Sequence, residues 1–76
     1  MTTEDMNFEI GQNIKSILDE YGMSQKELAD EIGVSKQIIS SYIYGERQPT
    51  IKNLINIAYI LNCDINELIT CDDFIE

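Results

Sequence analysis

A chain of 76 residues makes one small domain, and at that size only about 60% of the unfolded surface is buried, so the core must be efficient. No apolar run approaches the ~20 residues that cross a bilayer, and the polar, acidic start from Met1 to Phe8 is unlike a secretory signal, which points to the cytoplasm. The net charge of −9 weighs against nucleic acid as a default partner, because phosphate attraction supplies much of that affinity.

The elements follow from punctuation. Gly22, Gly33, Gly45 and Asn62 each close an apolar-periodic run, where a left-handed residue ends a helix. Ser24, Ser35, Thr50 and Asp64 follow as helix starters, and Glu27 and Glu67 complete capping boxes with Ser24 and Asp64. The first predicted helix runs from about Asp5 to Tyr21, with Ile10, Ile14, Ile17, Leu18 and Tyr21 on one stripe. The second spans Gln25 to Ile32 and turns Leu28, Ala29 and Ile32 inward. The third, Lys36 to Tyr44, buries Ile39, Tyr42 and Ile43. Pro49 precedes Thr50, outside any helix interior. The fourth helix, Ile51 to Leu61, buries Leu54, Ile57, Ala58 and Leu61. The fifth, Ile65 to about Thr70, has Ile65, Leu68 and Ile69 apolar. All five show i, i+3, i+4 spacing, and no segment alternates with period two. The expectation is an all-α, compact five-helix bundle, one domain over 1–76 with its core at about 8–70 and a tail at 71–76.

Charge is unevenly placed. Residues 1–23 hold five acids against one lysine, and residues 64–76 hold five acids and no base. From Val34 to Cys63 the balance reverses, with Lys36, Arg47 and Lys52 against Glu46 alone. The acids therefore sit at the two ends, and the centre is locally basic. Ordinary solvated helix faces account for those acids.

The informative stretch is Ser24 to Gly45. Two short helices join at a tight turn on Gly33, Ala29 permits close helix packing, and Ile32, Val34 and Ile39 wrap the turn. With it come Ile10-Gly11 and Ile14, Gly22-Met23-Ser24-Gln25, Leu28-Ala29, Gly33-Val34-Ser35 and Ile39-Ser40. Gly45 with Pro49, Leu54, Ile57-Ala58, Leu61, and Asp64 with Leu68 continue the series. This ordered set, from about Ile10 to Ile69, resembles the Cro and lambda-repressor-like (XRE) family of helix-turn-helix transcriptional regulators. The resemblance implies a lambda-repressor-like fold whose third helix enters the major groove of double-stranded DNA.

Helix geometry picks out the same face independently. At about 100° per residue, Ser41 and Tyr44 fall within about 40° of Gln37, and Ser40 about 60° away. Lys36 and Ile38 flank them at about 100° on either side. Lys36, Gln37, Ser40, Ser41 and Tyr44 thus form a polar face on which none of the 14 acids lies. Glutamine matches adenine N6 and N7, lysine matches guanine O6 and N7, serine serves either, and Ile38 suits a thymine methyl. For the phosphates, the resemblance places Gln25 against the backbone. Arg47, in the loop after the third helix, and Lys52, opening the fourth, belong on the same side, with Lys26 as a further candidate. Lys15 reads as a solubilising residue.

Many relatives pair an Arg late in the first helix with a Glu late in the third; here those positions are Leu18 and Ile43, which should meet as packed hydrophobes. Ser41, often Arg in relatives, is uncharged, so affinity for nonspecific DNA should be weak. Phe74 and Ile75 in the tail are either a cap or frayed end over the core, or, with Ile65 and Ile69, part of a homodimer interface. The chain has no histidine, and Cys63 and Cys71 lack zinc-site spacing, so both read as free thiols. No metal or cofactor constellation, phosphate loop or base-activated nucleophile is evident, so an enzyme is not expected, nor a small-molecule ligand. The reading is sequence-specific DNA binding by a transcriptional regulator, a repressor acting as a dimer. A protein-binding module of the same fold, an antitoxin or anti-repressor, is the alternative.

Overall fold

The computed structural model describes residues 2–69. They form α1 (Thr3–Tyr21), α2 (Gln25–Ile32), α3 (Lys36–Ile43), α4 (Ile51–Ile60) and α5 (Ile65–Ile69), with no strand among the described residues. None of these helices is long and apolar enough to cross a membrane.

Local chemistry sets the ends. Ser24, Ser35 and Thr50 accept the backbone N–H of Glu27, Ile38 and Asn53 at 3.0, 3.2 and 3.1 Å. Each thereby satisfies a donor that a helix start leaves without a partner. Glu27 returns the bond by accepting the Ser24 N–H at 2.9 Å. Hydrogen bonding from Ser24, its backbone N–H first and its side chain second, holds the Glu27 carboxyl below its ordinary range. At α5, Glu67 accepts the Asp64 N–H, while the Asp64 side chain accepts from Asn66. The first helix starts earlier than its apolar stripe suggested. Thr2 accepts the Asp5 N–H at 3.1 Å, and Asp5 accepts the Thr2 N–H in return. This box lies ahead of the apolar residues, so periodicity alone placed the start too late. Tyr44 and Leu61 are C-caps rather than last helical residues, and Thr70 lies outside the described residues.

Packing joins α1 to α3 and α5, α2 to α3 and α4, and α4 to α5. Ile14, Leu18, Leu28, Ile39, Ile43, Ile57 and Leu68 are the largest fully buried side chains. Each stabilises by roughly 1.5–3 kcal/mol through removal from water. Leu18 and Ile43 lie in this one cluster, on the two packed helices α1 and α3. No polar or charged residue is fully buried among the described residues.

At Gly11, α1 approaches the end of α3 closely. A Cβ there would collide with the carbonyl oxygens of Tyr42 and Ile43. Its neighbours use the same proximity: Gln12 Nε2 donates to the Ile43 carbonyl at 3.1 Å, and Asn13 Nδ2 to the Leu68 carbonyl at 3.0 Å. Two adjacent amides of α1 therefore cap the last turns of α3 and α5, whose carbonyls lack helical partners. Gly45, at φ 73°, turns the chain out of α3 with the Phe8 backbone 2.8 Å from where its Cβ would sit.

Several positions on the expected apolar stripes are not fully buried. Tyr21 was placed on the inward stripe but is 52% exposed. It ends α1, where an amphipathic side chain keeps its hydroxyl in water. Ile32 and Ile65 only edge the core, and Ile69 is exposed. Cys63 is a free, partly buried thiol. Burial, with help from Glu67 and Asp64, pushes its pKa up.

Candidate nucleic-acid interface

The outer face of α3 is built by subtraction. Ile39, Tyr42 and Ile43 take one side into the core, and Ile38 packs against the core edge. Lys36, Gln37 and Tyr44 are exposed, and Ser40 and Ser41 are half-buried between the two sides. The face is polar and free of acid, as its angular spacing required.

The two serines are more committed than their positions suggested. Ser40 Oγ donates to Gln25 Oε1 at 2.7 Å, and Ser41 Oγ donates to the Ile38 carbonyl at 2.7 Å. Both hydroxyl protons are therefore spent inside the protein. What remains for an outside partner is their acceptor capacity. The Ser40 bond also orients Gln25: its amide oxygen points to α3, which leaves the two Nε2 protons as its donor end. Ile38, half-buried, keeps only part of its apolar surface for a base methyl.

The loop after α3 folds back on that helix. The N–H groups of Glu46 and Arg47 both donate to the Ser41 carbonyl, at 2.9 and 3.2 Å. Arg47 is thus tied at its backbone to the end of α3 while its side chain is exposed. Tyr42 then links α3 to α4, its hydroxyl accepting from Asn53 Nδ2 at 2.8 Å. Lys52 is exposed in that same first turn. Ser40 and Ser41 belong to α3, and Gln25, Arg47 and Lys52 are joined to it by a hydrogen bond or by their place beside one. Lys36, Gln37 and Tyr44 sit on α3 itself or at its cap.

The cations divide cleanly. Lys15 pairs with Asp19 at 2.8 Å and Lys26 with Asp30 at 3.0 Å, each one helical turn apart and exposed. The Asp19 hydrogen bond raises the Lys15 pKa. Such surface pairs add little stability, but they engage both lysines on acidic helices, and Lys26 is correspondingly a weaker phosphate candidate. Lys36, Arg47 and Lys52 pair with no described acid. Lys36 opens α3, Arg47 is tied to its end, and Lys52 is in the first turn of α4, beside the Asn53 that bonds to Tyr42.

The Gln25–Ser40, Gln12–Ile43, Asn13–Leu68 and Asn53–Tyr42 bonds were not visible in the sequence. Each joins residues from 11 to 55 positions apart, and a lone amide on a helix carries no periodic signature.

A sequence model of the helix-turn-helix family matches residues 14–68. Among solved structures, the fold is similar to the restriction-modification controller protein C.AhdI from Aeromonas hydrophila, at 24% identity and a TM-score of 0.78, over 82% of this chain and 94% of that one. It is similar to the SOS-response transcriptional repressor LexA from Eubacterium rectale, at 24% identity and a TM-score of 0.83, over 95% and 77% of the two chains. The clp gene regulator ClgR from C. glutamicum is 19% identical with a TM-score of 0.78, over 83% and 82%. No match was found among curated protein sequences.

Proposed function

The chain belongs to the helix-turn-helix family of DNA-binding regulators, and from that premise we propose that it binds a specific duplex through the outer face of α3. Gln37, central on that face, reads a base edge, with Lys36 and Tyr44 beside it. Ser40 and Ser41 offer acceptors at the margin. Gln25, Arg47 and Lys52 hold phosphates, helped by the N–H groups at the start of α4.

One observation carries this reading. In a chain of net charge −9, the cations that pair with no described acid are Lys36 on the acid-free α3, Arg47 in the loop tied to its end, and Lys52 in the first turn of α4. Two cationic phosphate contacts per subunit, from Arg47 and Lys52, imply a shallow salt dependence, about −2 in log K against log salt for each subunit. Base contacts and fit then carry more of the affinity than general phosphate attraction.

The protein acts as a repressor in the cytoplasm, as a single domain with its core over 8–70. It is a two-fold dimer on a roughly palindromic site, with half-sites about one helical turn apart. Selection from random duplexes tests this: enrichment of a palindrome supports it. Failure to enrich any sequence sinks it, in favour of a protein-binding module of the same fold.

A further inference from the structure

We propose that the outer face of α4 is a self-association surface whose occupant is a second copy of this chain. The proposal rests on the dimeric reading above and supplies its contact. Ile51, Ile55 and Tyr59 are 71%, 54% and 83% exposed. They recur every four residues and so form one ridge along the helix. Single exposed apolar residues need no explanation, but a contiguous ridge does. Beside Tyr59 the ridge runs into an open groove of about 560 Å³, lined in part by Tyr21, Met23, Ile60 and Cys63, with Glu31 also in its lining.

Charge selects the occupant. From Ile51 to Cys63 the only charged residue is Lys52. By contrast α1 carries Glu4, Asp5, Glu9, Asp19 and Glu20, and α2 carries Glu27, Asp30 and Glu31. A cationic partner is drawn to those helices, and a duplex to Lys36, Arg47 and Lys52. Two copies, each of charge −9, repel wherever their acids meet. They can approach on an acid-free face, and this one is also apolar. The ridge is self-complementary as a two-fold contact requires. In an antiparallel pair centred on Ile55, Ile51 of each copy lies opposite the partner subunit's Tyr59. Rows spaced by four residues can interdigitate in this way.

This surface differs from the one expected at the C-terminal end. Of the residues named there, Ile65 is half-buried against the core and Ile69 is exposed, while Phe74 and Ile75 lie outside the described residues.

The test is the mass of the full chain in solution, by light scattering or sedimentation equilibrium, without DNA and across a salt series. The expected result is a dimer favoured by salt, since screening removes like-charge repulsion; DNA binding shows the opposite trend. Ile55→Glu and Tyr59→Glu should each give a monomer with unchanged helical content, because both side chains are exposed. Ile51→Glu combined with Tyr59→Lys should restore the dimer that Ile51→Glu alone loses, which reports the antiparallel register. A wild-type monomer at every concentration and salt overturns the proposal. So does a dimer that survives Ile55→Glu and falls apart with Ile69→Glu. Base preference of the Ile55→Glu chain on a half-site is measured separately. If it persists, the DNA reading stands whatever becomes of the α4 surface.

Discussion

The outer faces of α3 and α4 share one property and differ in another. Both are free of acid in a chain with 14 acids. The face of α3 presents Lys36, Gln37 and Tyr44, whereas that of α4 presents Ile51, Ile55 and Tyr59. The absence of acid leaves a face open to a negative partner, whether a duplex or another copy of this chain. The side chains then decide which partner fits. Hydrogen-bonding groups suit phosphates and base edges, and an apolar ridge suits a surface of its own kind. The two faces should therefore respond to salt in opposite directions.

The comparison can be broken most severely at Gly11, because the placement of α3 depends on its close approach to α1. In Gly11→Ala the new methyl meets the Tyr42 and Ile43 carbonyl oxygens. We expect a loss of about 3 kcal/mol, the upper part of the range for overpacking. For a domain of this size that lowers Tm by on the order of 10–20 °C, read in a thermal melt. An unchanged Tm would mean that α1 and α3 are farther apart than described.

The α3 face itself is probed next. Gln37→Ala should cost about 1–3 kcal/mol on the selected duplex and relax preference at one base position, leaving the salt slope alone. If affinity and preference both survive, Gln37 reads nothing. Arg47→Ala should weaken every duplex similarly and flatten the salt slope by about one unit; a change in base preference at constant slope would reverse the two roles.

Ser40→Ala sharpens the boundary between reading and gripping. The Ser40 proton goes to Gln25 rather than outward, so its loss should weaken all duplexes alike, by about 0.5–1.5 kcal/mol. Loss confined to one sequence would make Ser40 a base reader instead. The smallest effect belongs to the cap that starts α2. Glu27 ionises below its ordinary value of 4.5 because Ser24 bonds to its carboxylate. Its contribution is therefore present above the ordinary value and disappears as pH falls through the lowered one. Wild type should melt slightly above Glu27→Gln at neutral pH, and the two should converge in acid. A gap that widens in acid would contradict the cap.

Much of this was local and so readable in advance. Ser24, Ser35 and Thr50 cap their helices because a short side-chain oxygen reaches a backbone N–H two or three residues on. That distance is set within one turn of chain. Gly22, Gly33, Gly45 and Asn62 all take positive φ, as helix ends there demand. The polar face of α3 followed from helical pitch. Tyr21 misled, because pitch places a residue on a stripe without saying whether a neighbouring helix extends far enough to cover it.

The sequence by itself determined where α2 to α5 start, which side of each helix is apolar, and where the acids are absent. These depend on contacts within a few residues or on a fixed angular repeat. Only the tertiary structure decided what the polar side chains do. Gln12 and Asn13 close the ends of α3 and α5, Asn53 holds Tyr42, and Ser40 turns Gln25 so that its donor end is left over. A hydrogen bond between distant residues depends on two helices meeting at one distance and angle, which hydrophobic packing sets across the whole core. The same packing left the α4 ridge uncovered while burying the equally apolar side of α3.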